Sequence, residues 1–243
     1  YNSLQGVRHA IEIGKQLREH GYEFIGIRLD SGDLAFLSIQ ARKLLDEAGF
    51  PNAAILGSND LDEHIIDSLK TQGAKINVWG VGTRLVTAYD QPALGGVYKL
   101  SAIREPDGEW KPKLKLSEQV AKITNPGILQ VRRFRSEKEF LGDAIYDVVL
   151  GVPEAPTIVD PLDVTRRKHF ALNTQYEDLL VPIFRQGHLI YANPTLEETR
   201  RRTLEQLTML HPGVKRAVHP HQYPAGLELG LDKLKTSLIL TAR

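Results

Sequence analysis

Phe24-Ile-Gly-Ile-Arg-Leu-Asp-Ser-Gly-Asp-Leu34 decides how the rest of the chain is read. Phe24 to Leu29 is short, apolar and rich in branched side chains, the composition of a buried strand. The run breaks off in Asp30-Ser31-Gly32-Asp33, and helical spacing of apolar residues begins at Leu34. Side chains alternate along a strand, so Arg28 and Asp30 share one side at its C-terminal end. That side is expected to face the core, where a charged pair is costly unless it is used. Ser31-Gly32-Asp33 forms a tight turn, and Ser or Asp there can cap the following helix. Taken alone, the stretch is explained as well by a capped joint with a structural Arg–Asp pair. Its neighbours tilt the reading toward a site.

On the N-terminal side, Leu4, Val7, Ile11 and Leu17 follow helical spacing, and His20-Gly21 ends the helix. On the C-terminal side, Leu34, Leu37, Ala41, Leu44, Leu45 and Ala48 share a helix face that Gly49 and Pro51 terminate. Ala53 to Gly57 reads as a second strand. Ser58-Asn59-Asp60 is expected to start a helix over 61–70, with acidic residues where the dipole favours them. Ile76 to Trp79 is a third strand and runs into Gly80-Val81-Gly82-Thr83. Short apolar strands alternating with helices imply parallel pairing with right-handed crossovers, an α/β fold. All strand C-termini then lie on one rim, where barrels and open α/β sheets keep their sites. The polar and glycine clusters at 28–33, 57–60 and 80–83 all fall there.

The residue types suggest what the rim binds. Glycines at 80 and 82 let backbone N–H groups close on an anion, and the Thr83 hydroxyl adds a donor. A lone Gly-x-Gly-Thr is also the composition of an ordinary tight turn. Asp30 and Asp33 suit Mg²⁺, which takes one or two carboxylates plus substrate phosphates, or they accept hydrogen bonds from sugar hydroxyls. Arg28 suits a carboxylate gripped in a fork. Ser58 and Asn59 either reach the same cavity or cap the next helix. Together they describe a rim for a phosphorylated, hydroxylated, anionic small molecule.

Composition narrows the classes. The 243 residues suffice for one large or two modest domains, and the formal charge of +1 gives no global pull toward nucleic acid or membrane. With no cysteine, disulfides, thiolate metal sites and a cysteine nucleophile are excluded. No apolar run is long enough to span a bilayer, and no signal peptide is visible. The chain opens at Tyr1 without methionine, which reads as part of a longer protein, and cytoplasm is the expected location.

The second half carries fewer signals. Val97 to Ile103 alternates as a strand, and Glu105-Pro-Asp-Gly-Glu109 is a hairpin-type turn. Segments 128–134 and 144–150 read as strands, followed by a Pro-rich connector over 152–161. Leu179 to Phe184 is a possible edge strand, since Pro182 bars it from a sheet interior. Residues 196–210 form an amphipathic helix and 226–240 a closing helix. Lys111 and Lys113 read as solvated charges, as do Arg200-Arg201-Arg202. His211, His219 and His221 fit no zinc spacing and are read as structural.

Arg28-Leu-Asp-Ser-Gly-Asp33, Gly57-Ser-Asn-Asp-Leu-Asp-Glu63 and Trp79-Gly-Val-Gly-Thr-Arg84 occur in that order. With Pro92-Ala-Leu-Gly-Gly-Val-Tyr-Lys-Leu100, Lys115-Leu-Ser-Glu118, Lys122-Ile-Thr-Asn-Pro-Gly127 and Pro220-His-Gln-Tyr-Pro224, the set resembles nicotinate phosphoribosyltransferases over almost the whole chain. The resemblance implies an enzyme that joins nicotinate to phosphoribosyl pyrophosphate, gives nicotinate mononucleotide and pyrophosphate, and couples this to ATP hydrolysis in NAD salvage. It implies Mg²⁺, a homodimer, and an irregular α/β barrel of the type II phosphoribosyltransferases beside a second α/β domain. Residues 1–150 would then be part of the barrel, and 151–243 a segment completing the second domain. Arg28 would lie near the nicotinate carboxylate, with Ser31 and Gly32 against the substrate. Asp30 and Asp33, the catalytic carboxylates, would face ribose hydroxyls or Mg²⁺. Ser58 and Asn59 would line the phosphoribosyl pocket. Gly80, Gly82 and Thr83 would hold the 5′-phosphate, and Lys115 and Lys122 would be further phosphate contacts.

The family's phosphorylated histidine matches none of the eight histidines here and belongs upstream, with the first barrel strands. The chain alone is therefore expected neither to run the ATP-coupled cycle nor to close a barrel. Two other readings stand beside this one. A nicotinamide- or quinolinate-type transferase would use the same fold, though nicotinamide lacks the carboxylate that Arg28 would grip. A non-catalytic phosphometabolite-binding protein would keep the loops without the chemistry.

Overall fold

Asn2 accepts a hydrogen bond from the Gln5 amide and so caps α1 (Ser3–Glu19), the first element of a computed structural model that describes residues 2–242. The chain folds as two units, Tyr1–Gly96 and Val97–Arg243.

In the first unit α1 leads to β1 (Gly26–Leu29), α2 (Leu34–Glu47), β2 (Ala54–Gly57), α3 (Glu63–Thr71), β3 (Val78–Trp79) and the short α4 (Thr83–Val86). The strands pair in the order β1-β2-β3, all parallel, as the alternation predicts. Leu29 is level with Gly57, and Gly57 with Trp79. The next residues, Asp30, Ser58 and Gly80, therefore emerge side by side at one rim. Ala41, Leu45, Ile55 and Leu61 are almost wholly buried between sheet and helices. Leu45, Ile55 and Leu61 each contribute about 1.5–3 kcal/mol by leaving water.

Gly26 is needed where β1 meets β2, because a Cβ there would run into the Ala54 carbonyl. Asp33 caps α2 by accepting from the Phe36 amide, as its position after the turn predicts. Two expectations fail here. The third helix starts at Glu63, not at 61, and Asp62 caps it by accepting from the Ile65 amide. Ser58, Asn59 and Asp60 are thus not its cap. Nor do Arg28 and Asp30 face the core. Leu29 is buried on that side, while the side chains of Arg28 and Asp30 remain 62% and 58% exposed.

The second unit opens with the hairpin of β4 (Ala102–Ile103) and β5 (Lys111–Pro112), closed by the Gly108 amide donating to Glu105. It continues through β6 (Leu129–Arg135), β7 (Phe140–Asp147), β8 (Thr157–Val159), β9 (Arg167–His169) and β10 (Gln175–Asp178). A small hairpin of β11 (Phe184–Arg185) and β12 (His188–Leu189) follows, then α5 (Leu196–Thr208), β13 (Ala225–Glu228) and α6 (Leu229–Ala242). One mixed sheet runs β10-β6-β7-β13-β8-β9, antiparallel except between β7 and β13. Phe134, Ala144, Ile158 and Phe170 form its core, with the Phe134 and Phe170 rings stacked 4.0 Å apart.

This unit corrects several readings. The division lies at Gly96/Val97 rather than at 150, because β6 and β7 are bonded into the same sheet as β8, β10 and β13. The Pro-rich connector contains β8, whose Ile158 and Val159 are buried. The closing helix begins at Leu229, since Ala225–Glu228 is a strand between β7 and β8. Only the last two residues of 97–103 are strand. Residues 179–183 stay outside the sheet: the Leu179 amide still bonds to Val131, but Pro182 has no N–H to continue the ladder. No helix of the described residues is long and apolar enough to cross a membrane.

Candidate functional site at the strand ends of the first unit

Ser58 is the centre of the rim. Its residue is only 7% exposed, and its amide donates to the Leu29 carbonyl as β2 leaves the sheet. The hydroxyl donates to Asp30 Oδ1 at 2.6 Å and accepts from Arg28 Nε at 3.0 Å. Arg28 Nη2 closes the triangle on Asp30 Oδ1 at 2.9 Å. The hydrogen bond from Ser58 holds the Asp30 carboxyl below its ordinary value, helped by the Arg28 charge and opposed by slight burial. Asp30 is therefore an anion throughout the neutral range.

Gly80 completes this corner. Its amide donates to the Gly57 carbonyl at 2.8 Å, and a Cβ at Gly80 would sit 3.2 Å from the Ser58 Cβ. The glycine thus lets the third strand end close beside Ser58. Beyond it, the Gly82 carbonyl accepts from the Leu85 and Val86 amides and so starts α4. Among the described residues, the Val81 and Gly82 N–H groups donate to no protein acceptor. Thr83 lies in the first turn of α4, and its carbonyl takes the Thr87 hydroxyl at 2.7 Å.

The other expected residues are arranged less tightly. Ser31 and Gly32 form the exposed turn, with Gly32 at φ +79°, a conformation that side chains resist. Asp33 spends its Oδ1 on the α2 cap. Asn59 (φ 104°) and Asp60 (φ 45°) turn the chain sharply away after Ser58, a conformation uncommon outside glycine. Lys115 and Lys122 belong to the second unit. The Lys115 amide donates to the Thr124 hydroxyl, and the Lys122 carbonyl accepts from Lys99 Nζ. Arg84, the residue after Thr83, stands 4.0 Å from Asp62 and stacks on Tyr89 at 3.6 Å.

Sequence reading missed His9 and Gln5 on α1. They line an open depression of about 560 Å³ together with Gly26, Arg28 and Asp30, along the free edge of β1. His9 Nε2 lies 3.1 Å from Gln5 Nε2. The available signal was their spacing of four on a helix that precedes the site strand.

Mg²⁺ would find a partial fit here. Asp30 and Asp33 each have one carboxylate oxygen engaged, which suits single-oxygen ligation by an ion drawing the rest of its shell from water and phosphate. The Arg28 guanidinium opposes a second cation at Asp30. Among the described residues, no group of three or more His, Cys, Asp or Glu side chains is placed to hold a metal ion by itself.

The chain is similar to known proteins. The family model described as the nicotinate phosphoribosyltransferase C-terminal domain matches residues 129–235. The chain is 44% identical over 232 residues to a nicotinate phosphoribosyltransferase of Bacillus subtilis (strain 168), covering 93% of this chain and 47% of that protein. It is 33% identical over 243 residues to nicotinate phosphoribosyltransferase 2 of Arabidopsis thaliana, covering 93% of this chain and 42% of the plant protein. Among solved structures, human nicotinic acid phosphoribosyltransferase superposes with a TM-score of 0.65 at 28% identity, over 90% of this chain and 41% of the human one. The chain thus spans less than half the length of these relatives.

Proposed function

We propose that this chain belongs to the nicotinate phosphoribosyltransferase family, as its likeness to those proteins supports, and that it supplies one rim of a site that joins nicotinate to phosphoribosyl pyrophosphate, releasing pyrophosphate, in NAD salvage. The observation that carries the reading is the Arg28–Ser58–Asp30 triangle at the ends of two adjacent parallel strands, with the glycine loop at the end of the third. In this reading β1, β2 and β3 are consecutive strands of an irregular barrel.

Each residue then has a task. Arg28 attracts the nicotinate carboxylate and so orients the ring nitrogen toward the anomeric carbon. That nitrogen is already a nucleophile, so positioning replaces a general base. As pyrophosphate leaves, the ribose gains positive charge, which the ionised Asp30 offsets. Asp33 faces the ribose hydroxyls. Ser58 holds Asp30 and Arg28 in place, and Asn59 and the Ser31-Gly32 turn border the sugar. The unused amides of Val81 and Gly82, with Thr83, receive the 5′-phosphate. Mg²⁺, held through Asp30 and Asp33, would neutralise the leaving pyrophosphate charge. ATP coupling belongs to the same proposal, but none of the eight histidines matches the phosphorylated position, so no residue here is assigned to it. A cytoplasmic homodimer completes the proposal, and sedimentation velocity reads the dimer.

Calorimetric titration of this chain with nicotinate mononucleotide tests the reading. Arg28→Ala is expected to weaken binding about tenfold or more, the loss of one charge-assisted hydrogen bond or two. Nicotinamide mononucleotide should bind the parent chain no better than the acid binds the variant. Equal binding of the acid to both proteins, or none to the parent, defeats the proposal. Turnover of nicotinate with phosphoribosyl pyrophosphate, with and without ATP, then checks the reaction.

A further inference from the structure

The second unit has its own pocket, remote in sequence from every residue assigned above. It is a cleft of about 390 Å³ lined by Asp160, Arg166, Arg167, Lys168, His221 and Tyr223, among others. Three successive cations, at and just before β9, line it together with a loop that leads into β13. That volume is within the range of small-ligand pockets, at the lower end.

Among the described residues, Arg166, Arg167 and Lys168 face no carboxylate within 4.0 Å. They are tethered by neutral oxygens instead. Arg166 Nη1 donates to Gln222 Oε1. Arg167 Nε donates to the Val164 carbonyl at 3.2 Å, and Lys168 Nζ to the Leu141 carbonyl at 2.6 Å. A neutral tether fixes a side chain without cancelling its charge.

Two carboxylates stand nearby and stay ionised, and the bonds from Thr165, helped by the Arg166 charge, hold Asp163 below its ordinary value. Asp160 Oδ1 accepts from the Leu162 and Asp163 amides, and Asp163 Oδ1 from the amide and hydroxyl of Thr165. The opposite wall is fixed too. The His221 amide donates to Gly213, and the Tyr223 hydroxyl to Asp143. The result is a cleft in which three cations outnumber the Asp160 and Asp163 carboxylates, with an imidazole and an aromatic ring across from them.

We propose that this cleft binds a phosphate-bearing small molecule, with Arg166 and Arg167 as the principal contacts and Lys168 and His221 as secondary ones. Planar guanidinium groups match phosphate oxygens two at a time. Tyr223 and Pro224 give the carbon part of the ligand a surface to lie on.

The test is amide-resolved NMR on the whole chain, titrated at constant ionic strength with inorganic phosphate, ribose 5-phosphate and adenosine 5′-monophosphate. The expected result is saturable shifts confined to 160–168 and 221–225, weakened at least tenfold in the Arg166→Ala/Arg167→Ala variant. The tighter organic ligand shows whether sugar or base is also recognised, and phosphate binding alone makes it a simple anion site. Shifts only at 80–83 would report the rim of the first unit and overturn this proposal without touching that one. Undiminished binding by the double variant, or no saturable shifts in the parent, also overturns it. Should the double variant fold poorly by circular dichroism, Gln222→Ala decides: releasing Arg166 must weaken binding severalfold, and unchanged binding refutes the assignment.

Discussion

Asp143→Ala is expected to cost the second unit about 2–3 kcal/mol, and the figure follows from three bonds. The Asp143 carboxylate accepts from Arg133 Nε at 2.9 Å and Nη2 at 2.8 Å across the β6–β7 pair, and from the Tyr223 hydroxyl at 2.9 Å. The Arg133 and Asp143 side chains are only 19% and 14% exposed. Removing one partner of a fully buried pair costs about 3–5 kcal/mol, because the other charge is left uncompensated. Here water reaches Arg133 in part, and its Nη1 keeps a long contact to Gln206 at 3.4 Å, which lowers the expectation. Urea unfolding provides the assay. Trp79 lies in the first unit and Trp110 in the second, so a Trp79→Phe background leaves a reporter of the second alone. With a slope of about 1–3 kcal/mol per molar urea, the midpoint should fall by about 0.7–3 M. Arg133→Met with Asp143→Leu should recover to within about 1 kcal/mol of the parent, the remainder being the Tyr223 hydroxyl left without its acceptor. A loss below about 0.5 kcal/mol in the single variant would refute the reasoning. A double variant no better than the single one would refute it equally.

Burial and the Asp143 charge push Tyr223 far above an ordinary tyrosine, and burial raises Tyr146. The stability they contribute is fully present below about pH 10 and is lost as pH rises toward the folded-state values, so Tyr223→Phe should flatten the alkaline fall in urea midpoint. At the other end, hydrogen bonds from Arg132 hold Asp178 low, so its contribution is present above about pH 4 and lost as pH falls through the folded-state value; Asp178→Asn should blunt that acid loss. Asp33→Ala should destabilise α2 by about 1 kcal/mol in a thermal melt, whereas Asp33→Ser keeps the cap and removes the carboxylate; turnover lost in the serine variant at unchanged stability would assign Asp33 to chemistry. Ser58→Ala should raise the Asp30 titration midpoint toward that of a free aspartate, read by carboxyl-carbon NMR, and an unmoved midpoint would show that Arg28 alone sets it.

The first unit was legible because its signals are local. Period and caps placed α1, α2 and the three strands, and parallel pairing put Asp30, Ser58 and Gly80 on one rim. What failed there also has a local reason. Two competing caps, Ser58 and Asp62, stand four residues apart, and the positive φ of Asn59 and Asp60 gives the helix to Asp62. The face of Arg28 could not be read, because alternation fixes which residues share a side but not which side is covered. The second unit was less legible because its sheet is non-local. Ala225–Glu228 is a strand only because β7 and β8 lie on either side of it, and its Leu227 also suits the helical spacing that follows. Thr157–Val159 hides among prolines for the same reason.

The exposure of Arg28 and Asp30 changes what the pair contributes. An ion pair open to water adds little to stability, so the triangle is kept in shape by Ser58, the one member that is buried. In the proposed site its effect therefore falls on the ligand. Arg28 already gives Nε to Ser58 and Nη2 to Asp30, which leaves Nη1 as its unengaged nitrogen among the described residues. Each Nη carries two N–H groups, so Nη1 and the second N–H of Nη2 still form an end-on fork. In the proposed reaction an arriving carboxylate can take that fork without disturbing Asp30, or take the Nε–Nη2 side only by displacing it. The first mode keeps Asp30 ionised and in place for the developing charge on the sugar. An Asp30→Asn variant separates the modes. If the end-on grip holds, the neutral side chain should raise affinity for the acid only slightly while removing turnover. A rise of a hundredfold would mean that Asp30 had been competing for the guanidinium.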